Sequence, residues 1–448
     1  MVNTLFLPEI REMLAEQNAA ELQEFCIALN AGRTAEFMEG LADEEVWQVL
    51  QFADPDRRAE IFGYFDEERQ VELLQSQDVA ETAALIDRIA SDDRVDLINR
   101  LTPARVLDIL PLLPAADRRD IQRLRSYEEE TAGSLMTSEV AMLSESLTVR
   151  AALDELGRQA SQLETIYYLY VVDDDKILRG IVSTRQLVSS LRNPEQTLGE
   201  MMETDVVVAE VDEDQESVAE KVEHFNLLAI PVVDSGRQLL GIITHDDVID
   251  VIREELTEDA QRIAAVEPLE ENYLRIGLLT LSWKRGVWLI ILFFAALLTA
   301  FALEHYHQEL SEFIWLVSFI PLIISAGGNS GSQSATLVIT AMTSGEIELT
   351  DWRQVLQREV VVSLILGSFL SLIGYATAIF MAPSAIAATV IPMTLLAVII
   401  MGCFFGAALP LLFKRLGLDP AMMSNPFVAG IVDILGIVVY INIARMVL

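Results

Sequence analysis

Asp433 stands about a third of the way along the last of several apolar segments, with no Lys or Arg nearby in the chain. An ionisable group inside a bilayer is expensive to keep there and marks a functional site by default. At ~1.5 Å per residue from Ser424, its carboxylate falls roughly 14 Å into a hydrocarbon layer about 30 Å thick, near the midplane. A protonated Asp hydrogen-bonded to a neighbouring helix is the bland account; a cation or proton site is the better one. Asn425 and Ala429 share its helix face at four-residue spacing, and Pro426 is expected to free backbone carbonyls one turn inside the membrane. An amide, freed carbonyls and one carboxylate per chain suit a hard cation that takes oxygen ligands. In a dimer the carboxylate would be doubled at the axis.

A second polar group lies in PLIISAGGNSGSQSATLVI at 321–339. Its Pro, Gly pair and Gly-x-Gln are expected to break the helix, which is tolerated at depth only beside protein or water. Close helix packing through small residues accounts for some of these glycines, but less readily for Asn329 and Gln333.

The remaining chemistry is acidic. Of 68 acidic and 31 basic residues, only nine and five lie beyond Arg285, leaving 59 and 26 and a net charge of −33 in residues 1–285. Such a surface repels nucleic-acid phosphates and attracts multivalent cations. Acids are dense from Asp205 to Asp259 and include Asp214, Glu216, Asp246, Asp247, Glu255, Glu258 and Asp259. Carboxylates facing one another across an interface repel until a divalent ion bridges them, so a cation can act as a conformational ligand. For any one acid, helix capping or solvation is the simpler role. The two cysteines, Cys26 and Cys403, offer no disulfide framework. The four histidines form no metal motif and no nucleotide-hydrolysis loop is present, so an enzyme is not expected.

The elements that must position these groups fall into three kinds. Five apolar stretches are long enough to span a bilayer: Val287–Leu303, Phe313–Met342, Val360–Met381, Ile386–Phe413 and Phe427–Val447. Lys284, Arg285, Arg353, Arg358, Lys414 and Arg415 all fall on one side of them, so the positive-inside rule puts residues 1–285 in the cytoplasm and the C-terminus outside. The first residues lack a basic region followed by an apolar run, so no cleavable signal is expected. Residues 1–130 carry short amphipathic patterns every dozen residues or so, separated by capping turns such as FADPDR and IASDDR, which predicts an all-α superhelix. From Thr131 the pattern changes. GSLMTSEVAML at 133–143 is echoed by GEMMETDVVVA at 199–209, and YVVDDDKILRGIVSTRQLV by PVVDSGRQLLGIITHDDVI, so two tandem α/β repeats are expected at 131–196 and 197–250. One amphipathic acidic helix is expected from Val248 to Arg275, with a break near Pro268 as the alternative, linking the second repeat to a five-helix membrane domain at 276–448.

The apolar strand, Asp, turn and Gly-x-x-Ser/Thr order of the repeats resembles a pair of CBS domains. In that family a Thr and an Asp after the second strand often contact the ribose of an adenine nucleotide, and Thr244 and Asp247 occupy those places. Ser183 and Gln186 stand there in the first repeat, so the second would be favoured; a helix N-cap is the equal alternative. The whole order, with PLIISAGGNSGSQ and NPFVAGIVD, closely resembles the MgtE magnesium channels and transporters. That resemblance implies a homodimer in the plasma (inner) membrane, with a lipid-embedded pore between the two last spans. It implies hydrated magnesium at Asp433, beside Asn425, Ala429, Asn329 and Gln333. It also implies closure when cytoplasmic magnesium fills acidic interfaces, for which Asp92, Asp96 and Asp419 join the acids named above. Where members commonly have Thr-Thr, this chain has Ala429-Gly430, so two pore hydroxyls are missing and passage of calcium, manganese or cobalt is more open. A proton-coupled transporter and a non-conducting divalent-cation sensor are the alternatives.

Overall fold

The computed structural model describes residues 6–269, 273–423 and 425–448. Ser424, the origin of the depth count above, and residues 270–272 of the expected linker helix lie outside the described residues. The chain divides into two compact units, Met1–Ile252 and Arg253–Leu448.

The first unit begins with ten short helices between Leu7 and Leu124. Asn30, Asp54 and Asp78 cap three of them by accepting backbone N–H bonds, the role that short polar side chains play at helix starts. The helix ends are tied by arginines with a spacing that was not read from the sequence. Arg57 Nε donates to Cys26 O at 2.9 Å, Arg69 Nη1 to Glu39 O at 3.1 Å and Arg105 Nε to Leu74 O at 2.9 Å. Each reaches back about 30 residues to carbonyls that a helix C-terminus leaves unpaired.

Two three-stranded sheets follow, β1 (Met142–Ser144), β2 (Tyr168–Val172) and β3 (Leu178–Ser183), then β4 (Ala209–Glu210), β5 (Ala229–Val233) and β6 (Leu239–Thr244). In each, the first pair is parallel and the second antiparallel. The repeats interlock. Thr137, from the start of the first repeat, exchanges both backbone bonds with Ile242 of β6, and Glu203, from the start of the second, does the same with Ile181 of β3. Gly241 and Gly180 make this possible: a Cβ there would lie 2.4 Å from Thr137 O and 2.6 Å from Glu203 O.

The expected linker helix is shorter than the sequence suggested. It runs His245–Ile263, and Ala265 at φ +58° ends it, with Ala265 N bonding Arg262 O and Val266 N bonding Gln261 O. This paired closure satisfies the last carbonyls, so the helix stops before Pro268.

Five helical segments of the second unit are long and apolar enough to cross a membrane: Leu278–His305, Ile314–Thr343, Leu349–Ala378, Ala385–Arg415 and Asn425–Val447. Two expectations about their breaks are corrected. The second span turns at Ser318–Phe319 and is then one continuous helix, Ile320–Thr343, through the whole Gly-rich stretch. Pro321 lies in its first turn, where a missing N–H costs nothing. Likewise Pro426 opens the last helix rather than breaking it. The glycines act by contact: a Cβ on Gly402 would lie 2.6 Å from Gly327 O, and one on Gly406 2.3 Å from Gly331 O. The second and fourth spans therefore meet backbone to backbone. Tyr440 Oη of the last span donates to Leu316 O at 2.8 Å, satisfying a carbonyl at the turn in the second.

Gly406→Val must push two backbones apart, so it is expected to cost roughly 3 kcal/mol or more. Gly286→Val, which meets open space, should be neutral. Thermal unfolding of the two purified variants, followed by size-exclusion chromatography, measures the difference.

Candidate functional site

Three groups of polar side chains stand out, one in the membrane unit, one in the first unit and one on the helix end that belongs to the second. In the membrane unit, Asn425, Ala429 and Asp433 follow one another at successive turns of the last span, about 12 Å from first to last. Asn425 is fixed against the second span: its Nδ2 donates to Thr336 Oγ1 at 2.9 Å, and its carbonyl accepts from Ser332 Oγ at 3.1 Å. Asp433 is half-buried and makes no hydrogen bond or ion pair among the described residues. Gly328 is its close neighbour on the second span, since a Cβ there would lie 3.5 Å from Asp433 Oδ1 and 3.4 Å from Ala429 Cβ. Sequence reasoning read that glycine as part of a helix break, with packing as the alternative, yet its lack of a side chain is what leaves the space beside the carboxylate. Asn329 and Gln333 are exposed one turn apart on the second span; Asn329 Nδ2 donates to Ser325 Oγ at 3.2 Å, and Gln333 has no bond among the described residues. Amides cannot face hydrocarbon without loss, so this face requires water or another chain. Gly430 faces elsewhere: a Cβ there would lie 3.7 Å from Ala295 Cβ of the first span.

In the first unit, helix Ser91–Arg100 meets the first repeat. Asp92 is 8% exposed and its Oδ1 has no partner. Burial holds its pKa well above the carboxylate range, and Asp247, Asp93 and Glu164 add to the effect. Asp93 and Asp96 rise to about 6 and Glu164 to about 7, in each case chiefly from burial. All three are crowded by protein while their tips still meet solvent. They therefore form an acidic cluster to which Asp246 and Asp250 also contribute charge. Asp93 and Glu164 were missed by sequence reasoning: Asp93 reads as part of a capping turn, and nothing in the sequence sets Glu164 beside it.

Asp247 joins this group and is also held by its own turn. Its Oδ2 accepts from both the N–H and the hydroxyl of Thr244, which is the capping alternative. Ser183 and Gln186 repeat that arrangement in the first repeat, with N···Oε1 at 2.8 Å. A cavity of about 480 Å3 lies where the first repeat meets the second, lined by Tyr167, Tyr168, Ser183, Arg185 and Gln186 of the first and Glu203 and Leu228 of the second. Asp214 caps helix Gln215–Phe225 by accepting from Glu216 N at 2.9 Å; neither acid is among those that crowd Asp92.

The third group is in the second unit. Arg262 is bonded to both Glu258 and Asp419. Asp259 beside them is pushed up to about 6, first by burial and then by Asp419 and Glu255. Asp419 Oδ1 also caps Ala421 N at 2.7 Å. Among the described residues no three of His, Cys, Asp or Glu converge tightly enough to hold a bare metal ion.

Comparison with known proteins gives matches along the chain. A family model described as a divalent cation transporter matches residues 320–443, one described as the MgtE intracellular N domain matches 29–130, and the CBS domain matches 132–193 and 198–254. A magnesium transporter MgtE of Thermus thermophilus is 33% identical over 98% of each chain, and one of Enterococcus faecalis is 31% identical over 97% of this chain and 95% of its own. Among solved structures, the soluble part of a magnesium transporter is 32% identical at a TM-score of 0.52, covering 55% of this chain and 97% of its own. The cytosolic domain of the Mg2+ channel MgtE in complex with ATP is likewise 32% identical, with a TM-score of 0.51 over 54% and 98%.

Acids held above their ordinary pKa favour folding while protonated and oppose it once ionised. The unfolding midpoint of the full-length protein in EDTA is therefore expected to fall by a few degrees from pH 5 to pH 8, and magnesium should restore it. Asp92→Asn should flatten that dependence when differential scanning fluorimetry is repeated across the pH series.

Proposed function

The chain belongs to the MgtE family of magnesium transporters, and from that membership and the geometry above we propose that it carries hydrated Mg2+ through a pore at Asp433 which cytoplasmic Mg2+ closes. The observation that carries the proposal is the unpartnered, half-buried carboxylate of Asp433. A charge without protein partners in a membrane unit needs water, a cation or both. Gly328 leaves room for the ion's water shell, the Asn425 amide is held rigid by Thr336, and Ala429 supplies backbone. Asn329 and Gln333 extend the polar wall along the second span.

A half-pore of this kind is completed by a second copy, so the functional unit is a homodimer in the inner membrane. Residues 1–285 are cytoplasmic and the C-terminus is outside. Residues 1–130 and the repeats at 131–196 and 197–250 form the sensor, 251–275 the coupling segment and 276–448 the pore. With no ion at the cluster around Asp92, Asp96, Asp246 and Asp247, like charges push it apart; a hydrated divalent ion draws it together. Asp214 and Glu216 in the first unit, and Glu255, Glu258, Asp259 and Asp419 in the second, are further acids on which cytoplasmic magnesium would act. The solved relative bound to ATP supports an adenine nucleotide as a further ligand. Two places are candidates for it: Thr244 and Asp247 of the second repeat, and the cavity lined by Ser183, Arg185 and Gln186, where Arg185 is available to phosphate.

Reconstituted wild-type protein is expected to admit magnesium to liposomes, and Asp433→Asn to lower the rate at least about tenfold by removing the one pore charge. Equal magnesium uptake by the two proteins would place the pathway elsewhere, and equal calcium and magnesium uptake by the wild type would limit the function to divalent cations in general.

A further inference from the structure

The acidic seam between the helical domain and the first repeat already contains a cation. Arg94 is 4% exposed. Its Nη2 donates to Ile89 O at 2.8 Å within its own domain, its Nη1 lies 3.4 Å from Asp117 Oδ1 and its Nη2 lies 3.6 Å from Glu139 Oε1 of the first repeat. Small hydroxyls sew the same seam. Ser91 Oγ and Thr137 Oγ1 are 3.0 Å apart, Ser138 N donates to Ser91 Oγ at 2.8 Å, and Ser138 Oγ donates to Asp120 Oδ2 at 2.6 Å.

Asp92 and Arg94 are two residues apart on one helix and so do not face each other. Asp92 is crowded by Asp247, Asp93 and Glu164, with one oxygen unpartnered. Arg94 serves the other side, toward Asp117 and Glu139. The seam thus has a half in which acids crowd the unpartnered Asp92 oxygen and a half that carries a permanent positive charge between two acids, because a guanidinium keeps its proton at every physiological pH.

We infer that Arg94 is a resident counter-ion that holds the helical domain on the first repeat without magnesium and sets the magnesium concentration needed to complete docking. This rests on the reading that the seam closes as magnesium enters it, and it adds a positioning residue that does not itself touch the ion. With Arg94 removed, Glu139 and Asp117 are left without compensation, and every docked molecule must hold more unbalanced negative charge.

The test is hydrogen–deuterium exchange of residues 91–100 and 137–143 in the full-length protein in lipid nanodiscs, titrated with magnesium from EDTA upward, with liposome flux measured on the same samples. Wild type is expected to keep part of its protection in EDTA. Arg94→Met should lose that part and need at least about tenfold more magnesium for half-protection, the factor that accompanies loss of one charge-assisted contact. Arg94→Lys, which keeps the charge, should stay within about threefold of wild type.

Adding Glu139→Leu to Arg94→Met removes the stranded carboxylate and should recover much of the shift, which a general folding defect in the helical domain would not allow. An unchanged or lower midpoint in Arg94→Met would overturn the inference, as would a shift that Glu139→Leu leaves untouched. A shift in exchange without a matching shift in flux would support the docking role of Arg94 and overturn the gating reading instead.

Discussion

Carboxylates held together away from bulk water repel, and only a proton or a cation relieves them. That constraint is met most fully at Asp92 in the seam of the first unit; at Asp259 beside Asp419 it is relieved in part by Arg262, and Asp433 among the spans is a lone carboxylate that has no protein partner among the described residues. The acids around Asp92 are unfavourable in the absence of a counter-ion. A protein that must respond to a small hydrated ion gains from such sites, because the ion's contribution to stability is large where the unliganded state is strained.

Different elements keep the clusters in place. In the membrane unit, backbone contacts at Gly327, Gly331, Gly402 and Gly406 fix the second span against the fourth, and Asn425 fixes the last span against the second. The carboxylate is therefore presented by a rigid frame. The first unit relies on interlocked repeats, on arginines that cap distant helix ends, and on Arg94 in the seam. Rigidity on both sides of a cleft makes a change in its charge felt as a movement of whole domains rather than a local adjustment.

Much of this was legible in the sequence, and the reasons are specific. The 66-residue echo between GSLMT and GEMMET became the reciprocal pairing of Thr137 with β6 and Glu203 with β3, because a repeated motif keeps its place in a repeated fold. The five spans followed from length and hydropathy, and the lone Asp433 from its cost. Glycine and proline were misread as breaks. Pro321 and Pro426 sit in first turns, where they are harmless, and whether a glycine bends a helix or admits a neighbour depends on what packs there. The linker helix was drawn too long because Ala265 at positive φ leaves no compositional signal, unlike the glycine usual at that position. Glu164 and Arg94 were hidden for a different reason: their roles arise from long-range contacts that no local pattern encodes.

The central claim is that protons and magnesium compete for the same crowded acids. Titration calorimetry of the full-length protein with magnesium, run at fixed pH in buffers of differing ionisation enthalpy, counts the protons released as the ion binds. The account predicts release at pH 6, where Asp93, Asp96 and Glu164, raised to about 6, about 6 and about 7, are partly protonated, and less release at pH 8. Magnesium binding at pH 6 with no proton released would contradict it.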